Sequence, residues 1–279
     1  METPIPVPSL TVYCGAAVGN HYVASPFVLK LETRLRLSGF AYRTEFGSLL
    51  QAPRGKVPFV KLESPAIVEG EKGKEELLTD SALITERLVR DGHIADWNSR
   101  LTGAERAKDV AVRALLEDRW YFFAARERWM DNYYAMRDDT LGFIPWPFRV
   151  VLGLVLYRKI KDRLDGQGAL RYTDEEAAAA GAEAWENVNE LLVESHRKAQ
   201  EKGKVGPFWV LGGPQPTEAD ATVFGFIVGS LDRLQAPATE KVVRGFPVMM
   251  EYARRIHDAY FSDYKRWTDG EVDAQVSET

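Results

Sequence analysis

The chain has 279 residues, 45% hydrophobic and 28% charged, which are globular values that exclude global disorder and a collagen-like repeat. Lys and Arg total 36 against 41 Asp and Glu, and the formal net charge of −5 argues against a nucleic-acid or anionic-membrane partner. A single cysteine, Cys14, excludes a disulfide framework and any zinc site built on two thiolates, and it fits a reducing, cytoplasmic setting.

The first eight residues hold three prolines and no basic or apolar leader pattern, so no signal peptide is expected. Leu10–Cys14 is β-branched and aromatic and reads as a buried strand. A loop runs to Ala24. Ser25-Pro26 then places an N-cap and an N1 proline before Phe27, Leu31 and Leu35, which recur at helical spacing. Lys30, Glu32, Arg34 and Arg36 fall mostly off that apolar face, and Gly39 stops the helix. Residues 41–46 suit a second strand, 57–62 a third and 77–79 a short fourth, with a polar loop at 63–76. Asp80-Ser81 opens another helix through Leu83, Ile84 and Leu88. This order predicts a thioredoxin-like α/β domain, a mixed four-stranded sheet with helices on both faces, over residues 1–92.

After Asp91-Gly92 no run reads as a strand. A linker at 93–103 leads into an all-helical domain over 104–267, with a frayed tail at 268–279. Residues 104–136 form a long helical pattern dense in aromatics. Leu141–Tyr157 is strongly apolar, but Pro145, Pro147 and Arg149 interrupt it, so it reads as a turn and a buried helix and not as a span. Thr173-Asp174-Glu175-Glu176 starts a helix to Gln200, Thr217-Glu218-Ala219-Asp220 starts one to Leu231, and Phe246-Pro247 begins the last. The four histidines form neither an HExxH nor a close pair, so no metal site is expected.

Three pieces of the first domain carry chemistry if that fold holds. Ser25-Pro26-Phe27 sits at a helix start, where free N–H groups and the helix dipole lower thiol pKa values, and the Ser25 hydroxyl can donate to a bound thiolate. Lys56-Val57-Pro58 precedes a strand. A cis bond there would free the backbone of Val57 to pair with an extended peptide. Asp80-Ser81 caps a helix whose N–H groups suit the carboxylate and ammonium of a γ-glutamyl group. Each is also an ordinary cap or strand start.

Taken together, SPFVLKLETRLRLSGFAYR, PRGKVPFVKL and LTDSALI resemble the N-terminal domain of the glutathione transferase superfamily, nearest its failed-axon-connections and metaxin-like branch. Gln167-Gly168 and PTEADATVFG extend the likeness into the second domain. The resemblance implies a serine-type glutathione transferase: Ser25 at the thiol, Pro26, Phe27, Lys56, Val57 and Pro58 around the cysteinyl part, and Asp80 and Ser81 at the γ-glutamyl end. Glutathione is then co-substrate or cofactor, the partner is an apolar electrophile, and a homodimer is the expected assembly. Val28 stands where many relatives carry cysteine, so no redox pair exists, and Ser25 disfavours thiol–disulfide exchange.

Tyr13, Trp120, Tyr121 and Tyr133 are candidates for the acceptor pocket, with Tyr13 a second possible thiolate donor. Arg119, Arg126 and Arg128 are candidate carboxylate anchors. Cys14 reads as structural and Asp220 as a folding residue that caps its helix. The alternative function is a non-catalytic adaptor or a metaxin-like, membrane-associated assembly factor.

Overall fold

Alternation in four short strands builds the sheet. The computed structural model describes residues 8–15, 19–47, 51–65, 73–231 and 235–267. In it β1 (Ser9–Tyr13) runs parallel to β2 (Arg43–Glu45) and antiparallel to β3 (Phe59–Ser64), which pairs antiparallel with β4 (Lys74–Thr79); the order is β2-β1-β3-β4. Helix α1 (Pro26–Leu37) joins β1 to β2, and α2 (Ser81–Arg90) follows β4. The fold is thioredoxin-like, as predicted. β2 is shorter than the predicted 41–46. β4 starts at Lys74, inside the stretch read as a polar loop, because an edge strand tolerates charged side chains.

Leu10, Val12, Val60 and Leu62 face a core shared with Ile84 and Leu88 of α2. The alternate residues Thr11, Tyr13, Phe59, Lys61 and Glu63 form the other face. Helices were predicted on both faces, yet among the described residues this second face carries none. Pro53, Gly55 and Pro58 disfavour a helix before β3, and residues 51–55 form turns. Tyr13 stacks on Phe59 at 4.5 Å there, and Glu63 gathers Ser9, Lys61 and Arg43.

The second half is helical. α3 (Gly103–Ala114), opened by a Thr102–Glu105 capping box, continues through π-helical turns at Leu115–Trp120 and Glu127–Asp131 on either side of α4 (Tyr121–Arg126). Then come α5 (Tyr133–Leu141), α6 (Phe148–Gly166), α7 (Asp174–Glu201), α8 (Glu218–Val228), α9 (Pro237–Arg244) and α10 (Pro247–Tyr260). α9 was not predicted. The Leu141–Tyr157 reading needs correction as well: α6 buries only Gly153 and Leu164.

α1 lies between the sheet and the helical half, so its polar residues are buried too, against the expectation that they face away from packing. Each finds a partner. Lys30 pairs with Glu117 at 2.7 Å and Arg34 with Glu218 at 2.7 Å; Glu32 accepts from Tyr264 at 2.6 Å and Tyr42 at 3.0 Å. α8 crosses α1 at Gly225, where a Cβ would stand 2.5 Å from the backbone nitrogen of Lys30. Only glycine permits that approach. The segment after α10 returns to the first domain: Lys265 N–H donates to Asn20 O at 2.7 Å, and Tyr22 lies against Phe261, Tyr264 and Trp267 with its hydroxyl 2.7 Å from Nδ1 of His257.

Candidate active site at the ends of β1 and β4

Ladder register collects the candidate residues at one end of the sheet. Tyr13 is opposite Phe59, and Phe59 is opposite Thr79. The chain leaving β1, the Val57-Pro58 step entering β3 and the Asp80-Ser81 pair leaving β4 therefore share an edge. Gly15 passes directly over Val57, whose Cγ atoms lie 3.1 Å from where a Cβ would sit. The loop after β1 then delivers Ser25 to the start of α1.

Ser25 is half-buried and is the N-cap of α1. Its Oγ accepts from Val28 N–H at 3.4 Å, which leaves the hydroxyl proton for a second partner. No acidic side chain occupies the first turn of α1, so nothing on the helix cancels its positive end. The Val57–Pro58 bond is cis; Val57 is half-buried, Pro58 is buried and Lys56 is exposed.

Asp80 is the single described non-glycine residue with positive φ, at 74°. A side chain held in that region is a local strain of the kind that clusters at ligand sites. One carboxylate oxygen caps α2, accepting from Ala82 N–H at 3.0 Å and Leu83 N–H at 3.4 Å. Its other oxygen makes no hydrogen bond among the described residues. Ser81 is buried beside it.

Phe27, the next residue along α1, meets Tyr121 edge-on at 5.0 Å and Phe226 at 5.4 Å. Tyr121 thus lies against the first turn of α1, and Tyr13 ends β1, stacked on Phe59. Trp120 does not line the same space: it is 2% exposed and packs on Trp185 at 4.9 Å in the core. Tyr133 turns instead toward α6, against Tyr157. Arg119 pairs with Glu183, and Arg126 with Asp174 and two carbonyls.

Arg128 is different. It is buried and donates to Ala24 O at 3.1 Å and Gly229 O at 2.7 Å. A guanidinium from the helical half is therefore fixed one residue before Ser25. The sequence named it only as a carboxylate anchor, because its partners lie about a hundred residues away on either side. Cys14 is buried, and burial with Glu32 nearby pushes its thiol well above the usual range. That disfavours the thiolate, the form of cysteine that acts as a nucleophile.

A cavity of about 380 Å³ lies elsewhere, beside β2, lined by Arg36, Tyr42, Thr44 and Asp263. Its charges are already paired, Arg36 to Asp263, and it holds no helix start. The candidate residues thus cluster at the β1–β4 end, apart from this cavity.

Residues 26–136 match the family model described as the glutathione S-transferase N-terminal domain. The chain is 24% identical over 257 residues to Failed axon connections of Drosophila melanogaster, covering 86% of this chain and 55% of that protein. It thus spans about half the length of that curated relative.

In residues 26–136 the chain is similar to the glutathione S-transferase N-terminal domain, and its fold is that of solved glutathione transferases. A glutathione transferase family member from Pseudomonas fluorescens, solved with two glutathione molecules bound, superposes with a TM-score of 0.52 at 14% identity, over 92% of this chain and 91% of that one. Glutathione transferase GSTFuA3 from Phanerochaete chrysosporium gives 0.55 at 13% identity, over 93% and 98%. These likenesses establish a transferase-type fold of two parts. Within that fold Ser25, Asp80, Ser81 and the backbone of Val57 are the candidate polar groups at the β1–β4 end. No group of His, Cys, Asp and Glu suited to a metal occurs among the described residues.

Proposed function

We propose that this chain binds glutathione at the β1–β4 end of its sheet and stabilises the thiolate for attack on an apolar electrophile. The observation that carries the reading is the meeting, at the edge that Val57 enters, of the α1 start at Ser25, which has no acidic side chain in its first turn, with Asp80, whose second carboxylate oxygen makes no hydrogen bond among the described residues. The spare hydroxyl proton of Ser25 donates to the sulfur. The peptide groups of Val57 pair with the cysteinyl backbone. Asp80 accepts from the α-ammonium through the oxygen it does not use for capping, and Ser81 receives the α-carboxylate through its hydroxyl and backbone N–H. Glutathione supplies the sulfur nucleophile; the protein supplies position and positive potential. Arg128 adds a buried positive charge behind Ser25. Tyr13, Tyr121 and Phe27 offer ring surface for an apolar acceptor.

Isothermal titration with glutathione tests the reading. Binding in the micromolar to millimolar range is expected, weakened at least tenfold in Asp80→Ala. Absence of binding at millimolar glutathione removes it. Binding without turnover of any electrophile tried would leave the glutathione site and remove the transferase step.

A further inference from the structure

The α5–α6 hairpin touches the first domain at its turn, where Phe143 lies edge-on to Phe46 at 5.2 Å. Its two helices pack on each other and on the helix before them, and Leu164 and Ile160 join Ala125, Met130 and Ala169 in a small core separate from the main one. α6 seats on α5 through Gly153, where a Cβ would stand 2.7 Å from the hydroxyl of Tyr133. At 100° per residue the opposite side of α6 presents Phe148, Val151, Leu154 and Val155. With the turn before it, this side is largely exposed: Trp146 is 76% exposed, Phe148 70% and Val151 64%. Single exposed apolar residues are ordinary; a contiguous set on one tip is not.

Charge is segregated along the helix axis. The first half of α6 carries only Arg149, whose guanidinium is taken up by the carbonyls of Gly142 and Ile144 and by Asp138. The second half carries Arg158, Lys159, Lys161 and Arg163 against Asp162 and Asp165. Those four cations are exposed and form no ion pair among the described residues. Eight residues separate Val151 from Lys159, about 12 Å at 1.5 Å per residue. Aromatic and aliphatic side chains at the tip, with a basic collar a dozen ångströms behind, match the depth profile of an anionic leaflet, from acyl boundary to headgroups.

We propose that this hairpin docks the chain peripherally on an anionic phospholipid bilayer, the Trp146–Val155 tip entering the interface and the Arg158–Arg163 collar meeting the headgroups. The whole-chain charge of −5 argued against such a surface, but it averages away this local excess. A second copy is the rival occupant, and the cluster of unpaired cations behind the tip favours an anionic surface over it. No helix among the described residues is long and apolar enough to cross a membrane, so docking is at the surface.

Flotation of the full chain with unilamellar vesicles tests this independently of glutathione. Binding is expected to phosphatidylcholine vesicles containing roughly 30% phosphatidylserine, weakened by added salt, and little to phosphatidylcholine alone. Lys159→Glu with Lys161→Glu should lower partitioning by about tenfold or more, and Trp146→Glu with Phe148→Glu should reduce it at least as far, each with an unchanged thermal midpoint. Wild-type chain that stays out of the anionic vesicles overturns the proposal, as do variants that float as well as wild type. A dimer in light scattering that the Trp146→Glu, Phe148→Glu variant converts to monomer, with no vesicle binding, would assign the patch to a second copy instead.

Discussion

At Ser25 one hydroxyl has two duties, and they separate by mutation. As a donor to a thiolate it makes a charge-assisted bond worth about 1.5–3 kcal/mol. Its removal should raise the acid limb of the pH–rate profile by about one to two pH units and lower the neutral rate about ten- to a hundredfold. Ser25→Gly retains most of the capping and is the cleaner variant; an unmoved limb would transfer the donor role to Tyr13. Cys14→Ala should leave thiol transfer within a few-fold, since burial keeps that thiol protonated; a loss of about a hundredfold in a folded variant would contradict this. Arg128→Met should move the pH limb in the same direction as Ser25→Gly, and Arg128→Lys should bring it back part of the way by returning the charge. A merely structural Arg128 would change the thermal midpoint and leave the limb alone. The caps at Ser25 and Asp80 and the strand approach at Val57-Pro58 were legible in sequence because caps and strand starts are local patterns. Arg128 was not, because its partners, Ala24 and Gly229, are brought to it only by the fold.

Among the elements, α1 and α8 set the cleft by how closely they cross. Gly225→Ala puts a methyl group into the backbone of Lys30. Overpacking of this kind costs about 1–3 kcal/mol. Because the displaced helix begins at Ser25, glutathione affinity should fall with stability, measured by chemical denaturation and titration on the same variant. Asp220 holds the other end of this arrangement. Its carboxylate accepts from Thr217 N–H at 2.7 Å, Val210 N–H at 2.8 Å and the hydroxyl of Tyr252 at 3.1 Å. Asp220→Asn keeps the shape but replaces one acceptor oxygen with a donor, and it should cost about 1–3 kcal/mol for the unpaired buried group. The capping boxes of α7 and α8 were readable from four residues each. The buried ionic stripe of α1 was not: periodicity assigned Lys30, Glu32 and Arg34 to an outer face, and the helical half then covered that face. α6 failed in the opposite sense, since apolar content predicts burial only where a neighbouring element exists to provide it.

For the whole molecule, acid sensitivity should come from the seam between its ends. His257 is buried beside Tyr22 and Trp267, and burial holds its pKa below the ordinary 6.5. The unfolded chain takes up the proton first as pH falls, so the stability His257 contributes is present above about 6.5 and is lost below it. His257→Gln, which does not titrate, should flatten that part of the stability–pH curve; an unaltered slope would place the sensitivity elsewhere. A further consequence follows from α1, whose side chains join one continuous core running from Leu10 to Trp267. Neither half owns that core. Heating should therefore produce one calorimetric peak, with van't Hoff and calorimetric enthalpies in agreement. A fragment ending before α3 would present the α8-facing side of α1 to water, with Lys30 and Arg34 stripped of Glu117 and Glu218, and should behave as an aggregation-prone partial fold. Thermodynamically, the two halves are a single cooperative unit.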